Sequence, residues 1–151
     1  MDNVRVGLIG AGSIGARHMR AMEDVPEITL AAIADPSPAT AQIAAARNVP
    51  LYLDAGEMLA KGGIDAVIIA TPTERHHQDI MMALEAGQTV LVEKPITATL
   101  EEADEVTRFA EKQGCHVLVG HQRRYYPCAA MAREIIAQGR IGKLMAVTGQ
   151  W

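Results

Sequence analysis

The chain has 151 residues, 49% of them hydrophobic, which is enough for one globular domain with its own core. Its formal net charge is −4 and its basic residues are scattered, so neither nucleic acid nor an anionic membrane surface is an expected partner. No apolar run approaches the roughly 20 residues of a membrane span. Two cysteines make neither a disulfide framework nor a zinc site, so we expect reduced thiols, no metal and a cytoplasmic location.

Apolar runs typical of buried strands alternate with helix-compatible segments along most of the chain. Strands are predicted at 4–9, 28–34, 49–53, 64–70, 89–92 and 116–119. Helices are predicted at 14–22, 39–47, 55–61, 71–86 and 100–112. Three of the helix starts have the spacing of a capping box: Asp54 with Glu57, Thr71 with Glu74, and Thr99 with Glu102. The alternation predicts an α/β fold with a doubly wound parallel sheet.

A glycine turn follows the first predicted strand directly, with the sequence Gly-Ala-Gly-Ser-Ile-Gly at 10–15. This G-x-G-x-x-G spacing between a strand and a helix is typical of a Rossmann dinucleotide-binding unit. Gly10 permits the tight turn, Gly12 lets the backbone approach a pyrophosphate, and Gly15 allows close packing of the helix on the sheet. The pyrophosphate is expected at the helix N-terminus. The intervening residues then also contact the cofactor: Ala11, Ser13 and Ile14.

Asp35 ends the second predicted strand, twenty residues after Gly15. A carboxylate at this place can accept hydrogen bonds from the hydroxyls of the adenosine ribose and repels a 2′-phosphate. No arginine stands in the next few positions to bind such a phosphate. We therefore predict NAD(H) as the cofactor in preference to NADP(H). The alternative is that Asp35 only caps the following helix.

Further polar residues follow later strands, at the edge where open α/β sheets bind ligands. Lys94 is the most informative, because a lysine beside a nicotinamide can hydrogen-bond a substrate oxygen and stabilise a developing alkoxide. A solvated loop lysine is the alternative. His121 lies in a loop beyond a strand, and Arg123 can bind a polar substrate or form a structural ion pair. His76 and His77 are adjacent on a helix and do not have the spacing of a metal pair, so each is a cleft residue or an ordinary core or surface histidine.

The end of the chain has a different pattern. Apolar residues from Cys128 to Ile136 recur at helical spacing, Gly139 ends that helix, and a strand is predicted at 144–151. Because the chain ends on this strand, we expect these elements to begin a second domain that is missing here. Their exposed apolar faces predict self-association, and hence a homo-oligomer.

Taken in order, these segments resemble the Gfo/Idh/MocA oxidoreductases, the family that includes glucose-fructose oxidoreductase and inositol dehydrogenase. The resemblance rests on the segments at 6–15, 34–35, 70–76, 92–95, 119–127 and 139–143. The triplet Glu93-Lys94-Pro95 at a strand end is its most specific element.

The resemblance implies an NAD-binding Rossmann domain at 1–120, followed at 121–151 by the connecting loop, helix and first strand of a C-terminal substrate and oligomerisation domain. In such enzymes the lysine corresponding to Lys94 is catalytic and lies beside the nicotinamide and the substrate hydroxyl. The resemblance also implies cofactor contacts from several positions: Thr71, Pro72, Thr73, His76, Glu93, Lys94 and Gln122. It places His121 and Arg123 near the substrate.

Hydride transfer between nicotinamide and a secondary alcohol of a sugar, polyol or related cyclic substrate is therefore the expected reaction of the full-length protein. Family members are normally more than twice as long, and their other catalytic groups, commonly an Asp and a His, come from the second domain. Two alternatives stay open: an NAD-using glycosidase of the same family, and a non-catalytic domain that senses NAD or a sugar.

Overall fold

The computed structural model describes residues 3–149. The chain divides after Gly120 into two compact units, residues 1–120 and 121–151. The first unit holds six parallel strands: β1 (Val4–Ile9), β2 (Ile28–Ala34), β3 (Leu51–Tyr52), β4 (Ala66–Ile69), β5 (Thr89–Val92) and β6 (Val117–Val119). Their order in the sheet is β3-β2-β1-β4-β5-β6, so the predicted doubly wound parallel sheet is confirmed.

Five helices connect these strands: α1 (Ser13–Glu23), α2 (Thr40–Arg47), α3 (Ala55–Lys61), α4 (Thr73–Glu85) and α5 (Leu100–Gln113). Successive residues of a central strand face opposite sides of the sheet, because the side-chain period of a strand is two. Leu8 packs with Met19 and Met22 of α1, whereas its neighbour Ile9 packs with the cluster that contains Ile80 of α4. The sheet is thus covered on both faces, which explains why its strands read as continuous apolar runs.

The three predicted capping boxes differ in how far they form at the helix N-termini. The box at Thr99 and Glu102 is present in full. At α3, the Asp54 side chain accepts from the Glu57 N–H, and only this half of the box forms. The box at Thr71 is wrong, because α4 has Pro72 as its N-cap and the Thr71 hydroxyl donates to Asp79 instead.

The second unit contains a 3₁₀ helix (Gln122–Tyr125) and α6 (Pro127–Ala137). The helix was predicted, but the strand predicted at 144–151 is wrong within the described residues, since 144–149 have no regular secondary structure. A strand needs a neighbour for its N–H and C=O groups, and the apolar pattern alone does not supply one. The last two residues of that predicted strand lie outside the described residues.

Candidate functional site

A cavity of about 630 Å³ opens at the carboxyl ends of the strands. In the sheet, β2 lies on one side of β1 and β4 lies on the other side. This reversal of strand order creates the crevice in which open α/β sheets bind ligands. The cavity wall comes from the ends of β1, β2, β3 and β4, and includes Gly10, Asp35, Leu53 and Thr71.

The glycine turn forms the floor of this cavity, and two of its glycines are required by the fold itself. Gly10 has a φ of +89°, and a Cβ on it would lie 2.8 Å from the carbonyl oxygen of Ala70. A Cβ on Gly15 would overlap the carbonyl oxygen of Gly10, so α1 approaches the end of β1 too closely for any side chain. Around Gly12, by contrast, a Cβ would meet nothing within 4 Å. The space at Gly12 is open and faces the cavity.

The N-terminus of α1 ends in the same cavity without a capping side chain. Its N-cap is Gly12, no side chain bonds to the cap, and its first turn has no acidic residue. The first hydrogen bond of the helix runs from the Ala16 N–H to the Gly12 carbonyl. The N–H groups that precede it and the positive end of the helix dipole therefore favour an anion at this place. Ser13 and Ile14 are exposed residues that line the cavity, and their backbone N–H groups belong to this first turn.

Asp35 lies on the cavity wall and already accepts two backbone hydrogen bonds. Its Oδ2 accepts from the Ala11 N–H at 2.7 Å, and its Oδ1 accepts from the Ser37 N–H at 2.7 Å. The carboxylate thus ties the glycine turn to the loop after β2. Each oxygen keeps a second lone pair for a ligand hydroxyl. The helix-cap alternative does not describe this residue, since α2 begins only at Thr40 with Ala39 as its N-cap.

A buried carboxylate that the sequence pattern did not single out supports the opposite wall. Asp79 of α4 is 0% exposed, and its Oδ2 accepts from the Thr71 hydroxyl at 2.7 Å. Its Oδ1 accepts from Nη2 of Arg75 at 3.1 Å. The spacing of Arg75 and Asp79 at i, i+4 was the available signal for this pair. The pair with Thr71 was not predictable from spacing, because it depends on the turn before α4.

Lys94 follows β5 and does not line the cavity. It is exposed, and its peptide bond to Pro95 is cis. The neighbouring Glu93 is only partly exposed; its Oε2 accepts from the Lys94 N–H at 3.2 Å and its Oε1 lies 3.0 Å from Nε2 of His18. His18 belongs to α1, so this contact links the helix after the glycine turn to the lysine loop. No local pattern pointed to His18, because the contact spans 75 residues of sequence.

His76 is 1% exposed and lies beneath the surface of the site. Its Nδ1 is 2.8 Å from the carbonyl oxygen of Pro95, and its Nε2 is 3.0 Å from the carbonyl oxygen of Thr71. A neutral imidazole donates from one nitrogen only, whereas the protonated ring donates from both. In this position His76 connects the loop after β4 to the loop after β5. It supports the site from below and does not line the cavity.

The structure brings together in one cavity seven of the predicted cofactor residues: Gly10, Gly12, Ser13, Ile14, Asp35, Thr71 and Pro72. Ala11 is buried behind them and takes part through its N–H, and Thr73 begins α4. The predicted residues of the second unit, His121, Gln122 and Arg123, are all exposed. Among residues 3–149, no group of three His, Cys, Asp or Glu side chains is arranged to hold a metal ion. No helix in this same range is long and apolar enough to cross a membrane.

A glycine turn, an open helix N-terminus and a carboxylate at the end of β2 define a dinucleotide-binding domain of the Rossmann type. The family model described as "Oxidoreductase family, NAD-binding Rossmann fold" matches residues 4–121. The chain therefore belongs to the Gfo/Idh/MocA oxidoreductase family and contains its NAD-binding domain.

Known relatives agree with this assignment. The chain is 36% identical to the rhizopine catabolism protein MocA of Rhizobium meliloti, with 100% of this chain and 48% of that protein covered. It is 37% identical to the NAD(+)-dependent scyllo-inositol 2-dehydrogenase of Bacillus subtilis, with 93% and 42% covered. The crystal structure of scyllo-inositol dehydrogenase from Lactobacillus casei with NAD(H) and scyllo-inositol superposes with a TM-score of 0.89 at 27% identity, covering 94% and 43%. The chain spans slightly less than half the length of these relatives.

The three glycines of the turn should respond differently to alanine. Gly15→Ala forces α1 away from the end of β1, and we expect a loss of about 1–3 kcal/mol in the free energy of unfolding. Gly12→Ala, with open space around the new Cβ, should change that free energy by less than about 0.5 kcal/mol. Urea unfolding followed by circular dichroism measures both. Equal losses in the two variants would contradict the close approach of helix and strand.

Proposed function

We propose that this chain binds NAD(H) in the cavity and that the protein to which it belongs is an NAD-dependent oxidoreductase. The observation that carries the proposal is the meeting of the open space at Gly12, the uncapped N-terminus of α1 and the Asp35 carboxylate in one cavity. These features fit a pyrophosphate and an adjacent ribose. When bound, the nicotinamide supplies a hydride acceptor or donor, and the residues of the chain bind and orient the reactants.

The adenosine half of NAD(H) fits the described cavity. The pyrophosphate lies on the backbone of Gly12, Ser13 and Ile14, with its charge facing the helix N-terminus. Asp35 accepts hydrogen bonds from the ribose hydroxyls through its remaining lone pairs. A 2′-phosphate would meet this carboxylate at close range, which supports a preference for NAD(H) over NADP(H).

Lys94 is proposed as the catalytic residue. Its ammonium donates a hydrogen bond to the oxygen of the reacting alcohol or carbonyl, and it stabilises negative charge that develops there. The contact of its N–H with Glu93, and that of Pro95 with His76, support this role because they fix the backbone on both sides of the lysine. We assign His76 and Glu93 to the cofactor site as positioning residues, with Thr73 at the start of α4 and Gln122 as a further contact to the nicotinamide half.

The proposed substrate is a secondary alcohol of a sugar, polyol or related cyclic compound. Support comes from the relatives, two of which are named for scyllo-inositol. We assign His121 and Arg123 to substrate binding and residues 121–151 to the connection with a substrate domain. The length of the relatives supports that further domain, since this chain covers 48% of MocA and 42% of the Bacillus subtilis enzyme.

We also propose a homo-oligomer in a reducing, cytoplasmic environment. Cys115 and Cys128 are free thiols, which is compatible with such an environment. Large apolar side chains of the second unit are exposed, among them Met131 at 62% and Val147 at 79%. Burial of such surface favours association.

We expect light scattering of the purified chain to give a mass above that of one copy, whereas a monomer at high concentration would contradict the proposal.

Binding of NAD(H) to the purified chain tests the cofactor site directly. Titration by calorimetry should show NAD⁺ binding at least about tenfold tighter than NADP⁺, which corresponds to about 1.4 kcal/mol. Gly12→Ala should abolish the binding of NAD⁺ and of NADP⁺, because the new Cβ occupies the place of the pyrophosphate. It should leave the unfolding curve unchanged. Equal or tighter binding of NADP⁺ would refute the preference, and unchanged binding by Gly12→Ala would refute the site.

Replacement of Lys94 tests the catalytic proposal in a preparation that reduces NAD⁺ with a polyol. Lys94→Met should lower kcat by about 10²–10³-fold, as loss of an oxyanion donor does, with little change in NAD⁺ affinity. Lys61→Met is the matched control, because Lys61 pairs with Glu57 on the surface of α3 and does not line the cavity. Full turnover by Lys94→Met would overturn the assignment.

A further inference from the structure

The imidazole of His18 contacts the carboxylate that precedes Lys94, and neither the glycine motif nor the cavity lining explains this contact. His18 lies in the second turn of α1, and Glu93 directly follows β5. Nε2 of His18 is 3.0 Å from Oε1 of Glu93. The two side chains are only 21% and 16% exposed. A hydrogen bond that is largely shielded from water is stronger than one at the open surface, so this contact can hold both side chains in place.

Both oxygens of the Glu93 carboxylate are engaged. Oε2 accepts from the Lys94 N–H at 3.2 Å. An ionised carboxylate only accepts hydrogen bonds, so Nε2 of His18 is the donor to Oε1. Gly120, at the end of β6, closes the third side, since a Cβ on it would lie 3.3 Å from Oε1. The carboxylate is thus enclosed by α1, by the chain after β6 and by the backbone of Lys94.

The orientation of Glu93 decides which groups of Lys94 are engaged. A glutamate next to a lysine in sequence can accept either from the lysine N–H or from its ammonium. The ion pairs found among residues 3–149 do not include Lys94. With Oε1 bound to His18 and Oε2 bound to the N–H, the carboxylate does not compete for the ammonium. The ammonium can then donate to a substrate oxygen.

We propose that His18 is a positioning residue for Lys94, which acts by holding the Glu93 carboxylate against the lysine backbone and away from the lysine ammonium. The inference rests on the proposed function, since it concerns how the proposed catalytic lysine is held. It gives α1 a second task. The N-terminus of the helix faces the cavity, and its second turn reaches the loop after β5 through His18.

Steady-state kinetics in the preparation that reduces NAD⁺ with a polyol tests this role. His18→Leu keeps an apolar side chain but removes the donor. We expect it to lower kcat by about tenfold, as loss of a hydrogen bond to a charged group does, with little change in the KM for NAD⁺. His18→Gln, whose amide can donate to Oε1, should recover most of kcat. Unchanged kcat in His18→Leu, or no recovery in His18→Gln, overturns the proposal.

His77→Leu is the matched control, because Nε2 of His77 likewise lies 3.0 Å from a glutamate, Glu105 of α5, and neither residue lines the cavity. It should leave kcat unchanged. A double variant then tests the route through Glu93. If His18 acts through this carboxylate, adding His18→Leu to Glu93→Gln should lower kcat little further. Losses that multiply would place the effect of His18 elsewhere and overturn the proposal.

NMR of the purified chain tests the contact without catalysis. The ring nitrogen shifts of His18 should show a proton on Nε2. The backbone amide of Lys94 should exchange with solvent several times more slowly in the unaltered chain than in His18→Leu, because Glu93 loses its orientation in the variant. A ring with its proton on Nδ1 alone, or equal amide exchange in both proteins, contradicts the proposal. The ring measurement needs no variant, so it decides even where His18→Leu does not fold.

The outcomes also separate this inference from the proposed function. If the unaltered protein neither binds NAD⁺ nor turns over a polyol, the proposed function fails and this inference fails with it. If Lys94→Met abolishes turnover while His18→Leu retains it in full, only this inference fails. A rise in the KM for NAD⁺ with unchanged kcat in His18→Leu would assign His18 to cofactor binding and refute its role toward Lys94.

Discussion

The contact between α1 and the end of β1 is the constraint on which the cofactor site depends. Gly15 packs against the Gly10 carbonyl with no room for a Cβ, and Gly10 itself turns with a φ of +89° against the backbone of Ala70. This close approach places the first free N–H groups of the helix at the cavity instead of over the sheet edge. Displacement of α1 by the thickness of one methyl group would move its first N–H groups away from the cavity. It would also shift Ala11, whose N–H donates to Asp35.

Helix α4 has a comparable role on the other side of the turn. Its Asp79 accepts a hydrogen bond from the Thr71 hydroxyl. Its His76 lies within hydrogen-bond distance of the carbonyl oxygens of Thr71 and Pro95. Two strand-end loops that approach a ligand independently would otherwise each lose conformational entropy on binding. Because buried side chains of one helix hold both loops, that cost is met when the domain folds. His76 and Asp79 are buried, so removal of a partner of either side chain leaves a buried polar group unsatisfied.

Periodicity and motif spacing predicted most of the first unit. β1, β2 and β5 have the predicted bounds, because apolar runs in a covered sheet end where the chain turns to solvent. The third strand is shorter than predicted, Leu51–Tyr52 instead of 49–53, since an edge strand has one neighbour to define it. The strand predicted at 144–151 is absent from its described part, 144–149, for a related reason: apolar spacing indicates a strand, but a strand forms only beside a partner strand.

The site was predicted to the extent that it follows from local sequence. The glycine turn and Asp35 have fixed spacing, because the turn and the strand set it, and they were found. His18 and Asp79 make contacts that depend on which loops meet in space, and no short window of sequence contains that information. Thr71 illustrates both situations. Its place at a strand end was predictable from the sequence, but its hydroxyl donates to Asp79 and does not cap the helix.

The two halves of the site differ in how firmly their side chains are held, and this difference assigns them different tasks. Asp35 is fixed by two backbone N–H groups and Arg75 by a buried carboxylate, so contacts within the protein hold both of these side chains of the cavity wall. Lys94 is held through its backbone, and its side chain is exposed. A preformed region contributes affinity at low entropic cost, whereas an exposed lysine side chain requires a substrate oxygen or further protein surface to orient its ammonium. Within residues 3–120 the fold thus fixes the cavity wall, whereas the catalytic role proposed for Lys94 depends on what orients its side chain.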